Sequence, residues 1–142
     1  MLTARHLLER KGSEVYSVGP EDSVLDAIRL MAERHVGALL VMRAAELVGI
    51  VSERDYARKV ILLGRSSADT RVRQIMSSPV TTVSPTDTVN ECMKIVTEQR
   101  LRHLPVIDQG RVIGVVSIGD LVKAVIEDQQ NQIEQLERYI TS

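Results

Sequence analysis

Gly49-Ile50-Val51-Ser52-Glu53-Arg54-Asp55 occurs a second time, as Gly114-Val115-Val116-Ser117-Ile118-Gly119-Asp120, displaced by 65 positions. The same displacement, with no gap, aligns residues 15–57 with residues 80–122, and twelve of those 43 pairs are identical. Random pairing at this composition would give roughly three, so the chain carries a duplicated unit. Most other pairs keep their character, as Ile28 with Met93 and Leu47 with Val112 do.

Working outward from the motif, residues 47–51 read as a strand that Ser52 closes, and a helix follows through Leu63 to Gly64. Ahead of that strand, residues 38–42 form a continuous apolar run, the pattern of a strand covered on both faces. Arg43-Ala44-Ala45-Glu46 turns the chain between them. Asp22-Ser23 opens a helix in which Val24, Ala27, Ile28 and Met31 keep the three- and four-residue spacing of one buried face. Residues 15–18 form a short strand ended by Gly19-Pro20. A further helix over residues 3–10 turns Leu7 and Leu8 inward and stops at Gly12.

The second copy repeats this order: a strand over 80–83, a helix over 88–99, strands over 104–107 and 112–117, and a helix over 120–128. Thr88 and Glu91 have capping-box spacing, and Asp108-Gln109-Gly110 marks a hairpin turn. Residues 72–76 make a short helical piece, a counterpart to residues 4–8. The expected organisation is a first repeat with its N-terminal helix over 1–64, a linker with a short helix over 65–79, a second repeat over 80–128, and a helical tail over 129–142. In the tail Ile126, Ile133, Leu136 and Ile140 recur at heptad-like intervals. Such a stripe needs a covering surface, either its own domain or a second chain.

Composition bounds the function. Hydrophobic residues make up 44% and charged residues 26%, as in ordinary water-soluble proteins. No apolar run approaches the ~20 residues that span a bilayer. Met1-Leu2-Thr3-Ala4-Arg5-His6 lacks a secretion signal's apolar core, and Cys92 is the single cysteine. A cytoplasmic protein without membrane attachment is the expectation. A net charge of −1, with no Trp or Phe, argues against nucleic acid as a partner.

A duplicated β-α-β-β-α unit ending in Gly-apolar-apolar-Ser-x-x-Asp resembles the CBS-domain pair (cystathionine β-synthase domain, or Bateman module) across residues 1–128. The resemblance implies an α/β fold of tandem repeats packed side by side with pseudo-two-fold symmetry. It also implies a non-catalytic regulator that binds adenosine-containing ligands in the clefts between repeats. AMP leads the candidates, with ADP, ATP, NAD and S-adenosylmethionine beside it, and no cofactor is required. The segments Ser52-Glu53-Arg54-Asp55-Tyr56-Ala57-Arg58-Lys59 and Arg100-Leu101-Arg102-His103-Leu104-Pro105-Val106 are similar to nucleotide-binding members. A homodimer and an unidentified regulated protein are the implied partners.

Ser52 with Asp55, and Ser117 with Asp120, sit three apart at strand-to-helix junctions. Such a pair is a ready-made helix cap. The same carboxylate can also accept both vicinal hydroxyls of a ribose, and the helix N-terminus suits a phosphate. The two roles are compatible. Arg102 and His103 precede a buried strand, and the resemblance places them at phosphates bound beside Asp55. Their counterparts, Gly37 and Ala38, carry no charge, so the two clefts should differ, with the Asp55 cleft the stronger. Arg54, with Lys59, Arg58 and Arg65 more loosely, is a further source of phosphate charge or simply surface. Main chain near Val18 and Val83, with Tyr56, is the candidate adenine wall. Met31, Met42, Met76 and Met93 read as core.

A hydrolytic triad of Ser52 or Ser117, an Asp and His103 lacks the nucleophile-elbow pattern. His6, His35 and His103 share no metal-ligand spacing. The rival to ligand binding is a structural dimerisation module without bound nucleotide.

Overall fold

A computed structural model describes residues 2–141; Met1 and Ser142, the outer ends of the predicted N-terminal segment and tail, lie outside the described residues. The elements are α1 (Ala4–Lys11), β1 (Ser17–Val18), α2 (Val24–Arg34), β2 (Ala38–Arg43), β3 (Glu46–Ser52), α3 (Glu53–Tyr56), α4 (Val89–Gln99), β4 (His103–Asp108), β5 (Arg111–Ser117) and α5 (Ile118–Thr141). The repeat is conformational as well as chemical. α2 and α4 begin and end 65 residues apart, as do the two hairpins. His35 and Arg100 both close their helices at φ 55, and each hairpin register shifts at the same place, Val41/Met42 and Val106/Ile107. Each helix entry is set by an aspartate accepting a backbone N–H three residues back, Gly19 to Asp22 at 2.7 Å and Ser84 to Asp87 at 2.8 Å. The predicted Thr88–Glu91 capping box is present.

The chain divides into two compact units, and the division departs from the expected boundaries. Val15–Thr81 forms one; the chain up to Glu14 joins the chain from Thr82 onward in the other. The first helix therefore belongs with the second repeat, and the linker's helical piece (a 3-10 turn, Val72–Gln74) with the first. The two pieces dock by the same bonds. Val89 N–H donates to Leu2 O, Ala4 N–H to Asp87 O and Arg5 N–H to Pro85 O. In the other unit Val24 N–H donates to Thr70 O, Val72 N–H to Asp22 O and Arg73 N–H to Pro20 O. Hydrophobic burial follows suit: Leu7 and Leu8 join the core of Val89, Cys92, Val96, Leu104, Val106 and Val116. Val72 and Ile75 join that of Val24, Ala27, Met31, Leu39, Val41 and Val51. Gly49 and Gly114 exist for this docking. A Cβ on Gly49 would meet Met76 Sδ at 2.5 Å, and one on Gly114 would meet Leu8 Cδ2 at 2.5 Å.

Three expected elements differ. The strand over 80–83 is reduced to a single parallel bridge, Val83 to Val106. In the first repeat Leu40 N–H donates to Tyr16 O at 3.1 Å and β1 pairs with β2. The equivalent of Leu40 is Pro105, which has no N–H to donate. The helix after Ser52 is α-helical only to Tyr56 and then widens into a π turn, Ala57–Ile61, with Leu62 N–H on Ala57 O. Finally, the helix from the second motif does not stop at Asp128. No Gly or Pro interrupts it, and α5 continues to Thr141.

Candidate functional site

Each unit presents its Ser-x-x-Asp where an edge of the hairpin becomes a helix. Ser52 keeps extended backbone, φ −128 and ψ 164, and its hydroxyl accepts the Asp55 N–H. Asp55 Oδ2 in turn accepts from the Ser52 N–H and hydroxyl, both at 3.0 Å. In the second unit the Ser117 hydroxyl accepts the Asp120 N–H at 3.1 Å, and Asp120 Oδ2 accepts the Ser117 N–H at 2.8 Å. The capping role is thus real in both copies. Both carboxylates are also partly buried, with side chains 16% exposed at Asp55 and 25% at Asp120.

Each carboxylate has a lysine, recruited from a different place. Lys59, one turn along the π-distorted helix, puts Nζ 3.2 Å from Asp55 Oδ1 and 2.9 Å from Ile75 O. Lys11, at the end of α1, puts Nζ 2.6 Å from Asp120 Oδ2 and 2.9 Å from Val115 O. Sequence reasoning missed Lys11 because its partner lies in the other repeat and no local pattern joins them. Burial alone would raise the Asp120 pKa. Hydrogen bonds from Lys11 and the Ser117 N–H, with the Lys11 charge and the Ser117 hydroxyl, outweigh it and hold the carboxyl below its ordinary value.

His103 opens β4 opposite Ser117, in the same unit as Asp120. Burial, then the Lys11 and Arg102 charges, lower its pKa, and Asp120 only partly offsets them. At neutral pH it is an uncharged imidazole that can donate one hydrogen bond, not the positive charge expected from the sequence. Arg102 is exposed, and its carbonyl accepts the Ile118 N–H that begins α5, at 2.8 Å. The first unit repeats that contact with Gly37 O and Glu53 N–H at 3.0 Å, without the side-chain charge. Arg54 is exposed on α3.

The proposed adenine walls are already engaged. Val83 is core, and its N–H and C=O bond Pro105 and Ile107. Val18 packs against the first unit's core, as does Tyr56, whose hydroxyl accepts from Ser67 Oγ at 3.3 Å. Cys92 is buried, and burial together with Asp87 and Glu91 pushes its thiol up to about 11. Among the described residues no group of three His, Cys, Asp or Glu could hold a metal ion, and no helix is long and apolar enough to cross a membrane.

Residues 2–61 and 72–127 match the CBS domain, so both repeats are covered. The chain is 43% identical over 125 residues to the mitochondrial CBS domain-containing protein CBSX3 of Arabidopsis thaliana, covering 84% of this chain but 61% of that protein's length. A Burkholderia ambifaria protein with CBS domains and a solved structure, named as a candidate for signal transduction, is 53% identical with a TM-score of 0.86, covering 89% of this chain and 96% of that one. A hexameric CBS-CP12 protein from bloom-forming cyanobacteria is 27% identical with a TM-score of 0.78, covering 98% of this chain and 86% of that one. CBS domains are regulatory and signal-transduction modules. The tandem repeat, with Ser-x-x-Asp at both helix starts, is a CBS-domain pair, and the chain belongs to the CBS-domain family.

Proposed function

We propose that the chain is a non-catalytic regulatory module that binds an adenosine-containing nucleotide, AMP first, through its two Ser-x-x-Asp motifs. The observation carrying this reading is the state of the Asp120 carboxylate. Asp120 is held ionised by Lys11 and Ser117, partly buried, at a helix N-terminus. An ionised, oriented carboxylate accepts two hydroxyls of a ribose, and nearby backbone N–H groups favour phosphate. Arg102 supplies phosphate charge, His103 supplies a hydrogen bond, and Arg54 and Lys59 are weaker contributors. The motifs are unequal because only the second repeat carries Arg102 and His103; the family resemblance puts that pair at phosphates bound beside Asp55, so the Asp55 motif is expected to bind more tightly. A single buried cysteine fits cytoplasmic placement. Calorimetric titration with AMP, ADP, ATP, NAD and S-adenosylmethionine tests the reading.

A second reading is favoured by one observation: both carboxylates are already engaged by their serine caps and a lysine. On that reading the motifs only start helices, and the chain is a homodimeric structural module. Self-association belongs to both readings.

A further inference from the structure

Only the first turns of α5 are anchored. Leu121 and Ala124 are buried, while every described residue from Ile126 onward is exposed. A helical overhang of this length is marginal in water without lateral support. Its apolar side chains are not scattered but fall, with one polar interruption at Gln129, on a single stripe. Val122, Ile126, Gln129, Ile133, Leu136 and Ile140 succeed one another at alternating steps of four and three, the seam of a two-stranded coiled coil. Val122 is 42% exposed, Ile126 60%, Ile133 48%, Leu136 62% and Ile140 79%. The local-docking alternative for the tail is therefore not what the chain adopts.

The occupant is indicated by charge. One flank of the seam carries Lys123, Gln130 and Glu137, so opposite charges stand equally far on either side of a neutral amide. The other flank carries Val125, Gln132 and Tyr139. We propose that α5 pairs with α5 of a second copy as an antiparallel coiled coil whose two-fold axis lies level with Asn131. Reversed on itself, the first flank sets Lys123 against Glu137 of the second copy, twice, and Gln130 against Gln130. The second flank sets Val125 against Tyr139. Ile126 then faces Leu136 of the second copy, and Ile140 faces Val122. Gln129 faces Ile133 of the second copy beside the axis, where Gln130 and Gln132 of both copies offer its amide partners. A parallel pair would instead bring Lys123 to Ile118, Gln130 to Val125 and Glu137 to Gln132, with no opposite charges meeting.

This inference rests on the self-association read above and is independent of nucleotide binding. Sedimentation of the full chain at low salt measures the dimer, using Lys123→Glu, Glu137→Lys and the double exchange. Both substituted positions are exposed on α5. Each single change turns two attractions into repulsions and should weaken the dimer roughly tenfold. The double exchange should restore it. Gln130→Cys should form an intermolecular disulfide on oxidation and Leu136→Cys should not, since the antiparallel register holds the two copies of residue 136 about 15 Å apart along the axis. The buried Cys92 does not compete. A chain that stays monomeric overturns both the pairing and self-association. A dimer indifferent to the charge exchanges, or one cross-linked by Leu136→Cys, overturns the antiparallel seam and leaves self-association standing.

Discussion

Lys11 Nζ lies 2.6 Å from Asp120 Oδ2, although 109 residues separate them in the chain. That ion pair fastens the first helix to the second repeat and sets the charge of one motif carboxylate. The Asp120 pKa is lowered in the folded protein, so its contribution is present above the ordinary value of 3.8 and is lost as pH falls below it. Lys11→Met leaves burial less opposed. Stability at neutral pH should fall by on the order of 1 kcal/mol, and acid unfolding should begin at higher pH. Urea midpoints across the acid range measure both.

His103 gives a pH dependence of the same sign in a different window. Its folded pKa lies below the ordinary 6.5, so the unfolded chain binds the proton better. Stability should rise as pH climbs from the folded value to 6.5 and be complete above it. Denaturant titrations on either side of 6.5 should show this slope, and His103→Gln should flatten it.

Gly114→Ala should destabilise the protein by about 1–3 kcal/mol through overpacking, because the new methyl meets Leu8 at 2.5 Å. In a Leu8→Ala background the same change should cost clearly less, a coupling that a double-mutant cycle reads directly. Equal costs in both backgrounds would mean that the contact is not what demands glycine there.

Much of this architecture was legible because it is local. The buried faces of α2 and α4, the Thr88–Glu91 box, the hairpin turn at Gln109-Gly110 and both Ser-x-x-Asp caps are each encoded within a few residues. What escaped is not local. Leu8 reaches Gly114, and Lys11 reaches Asp120, across the whole intervening repeat, and nothing in either segment names its partner. Pro105 could have warned that the strand over 80–83 would be thin, since a missing N–H is visible in the sequence. The resemblance to the CBS-domain pair supplied the ligand class and the proposed roles of Arg102 and His103; the residues alone suggested only a cap or a hydrogen-bonding carboxylate.

The crosswise exchange has a consequence for dissection. A fragment of residues 1–66 lacks Val72 and Ile75, both fully buried in the first unit's core. Val15–Thr81 keeps them. Circular dichroism during thermal unfolding should show a broad, uncooperative transition for residues 1–66 and more residual structure for Val15–Thr81. The reverse order would contradict the assignment of the helical pieces.

The central claim, that the two motifs hold an adenine nucleotide, is tested most directly by titration calorimetry of AMP against the intact chain and against Asp55→Ala, Asp120→Ala and Arg102→Ala. Micromolar affinity corresponds to about −8 kcal/mol, and a charged hydrogen bond to phosphate contributes about 1.5–3 kcal/mol. Arg102→Ala and Asp55→Ala should therefore each weaken binding roughly ten- to a hundredfold, with Asp120→Ala affecting a weaker event. Loss of the cap should cost folding stability only about 1 kcal/mol. Binding that survives both Arg102→Ala and Asp55→Ala unchanged, or no heat with any adenosine ligand, would contradict the claim and leave the motifs as helix caps.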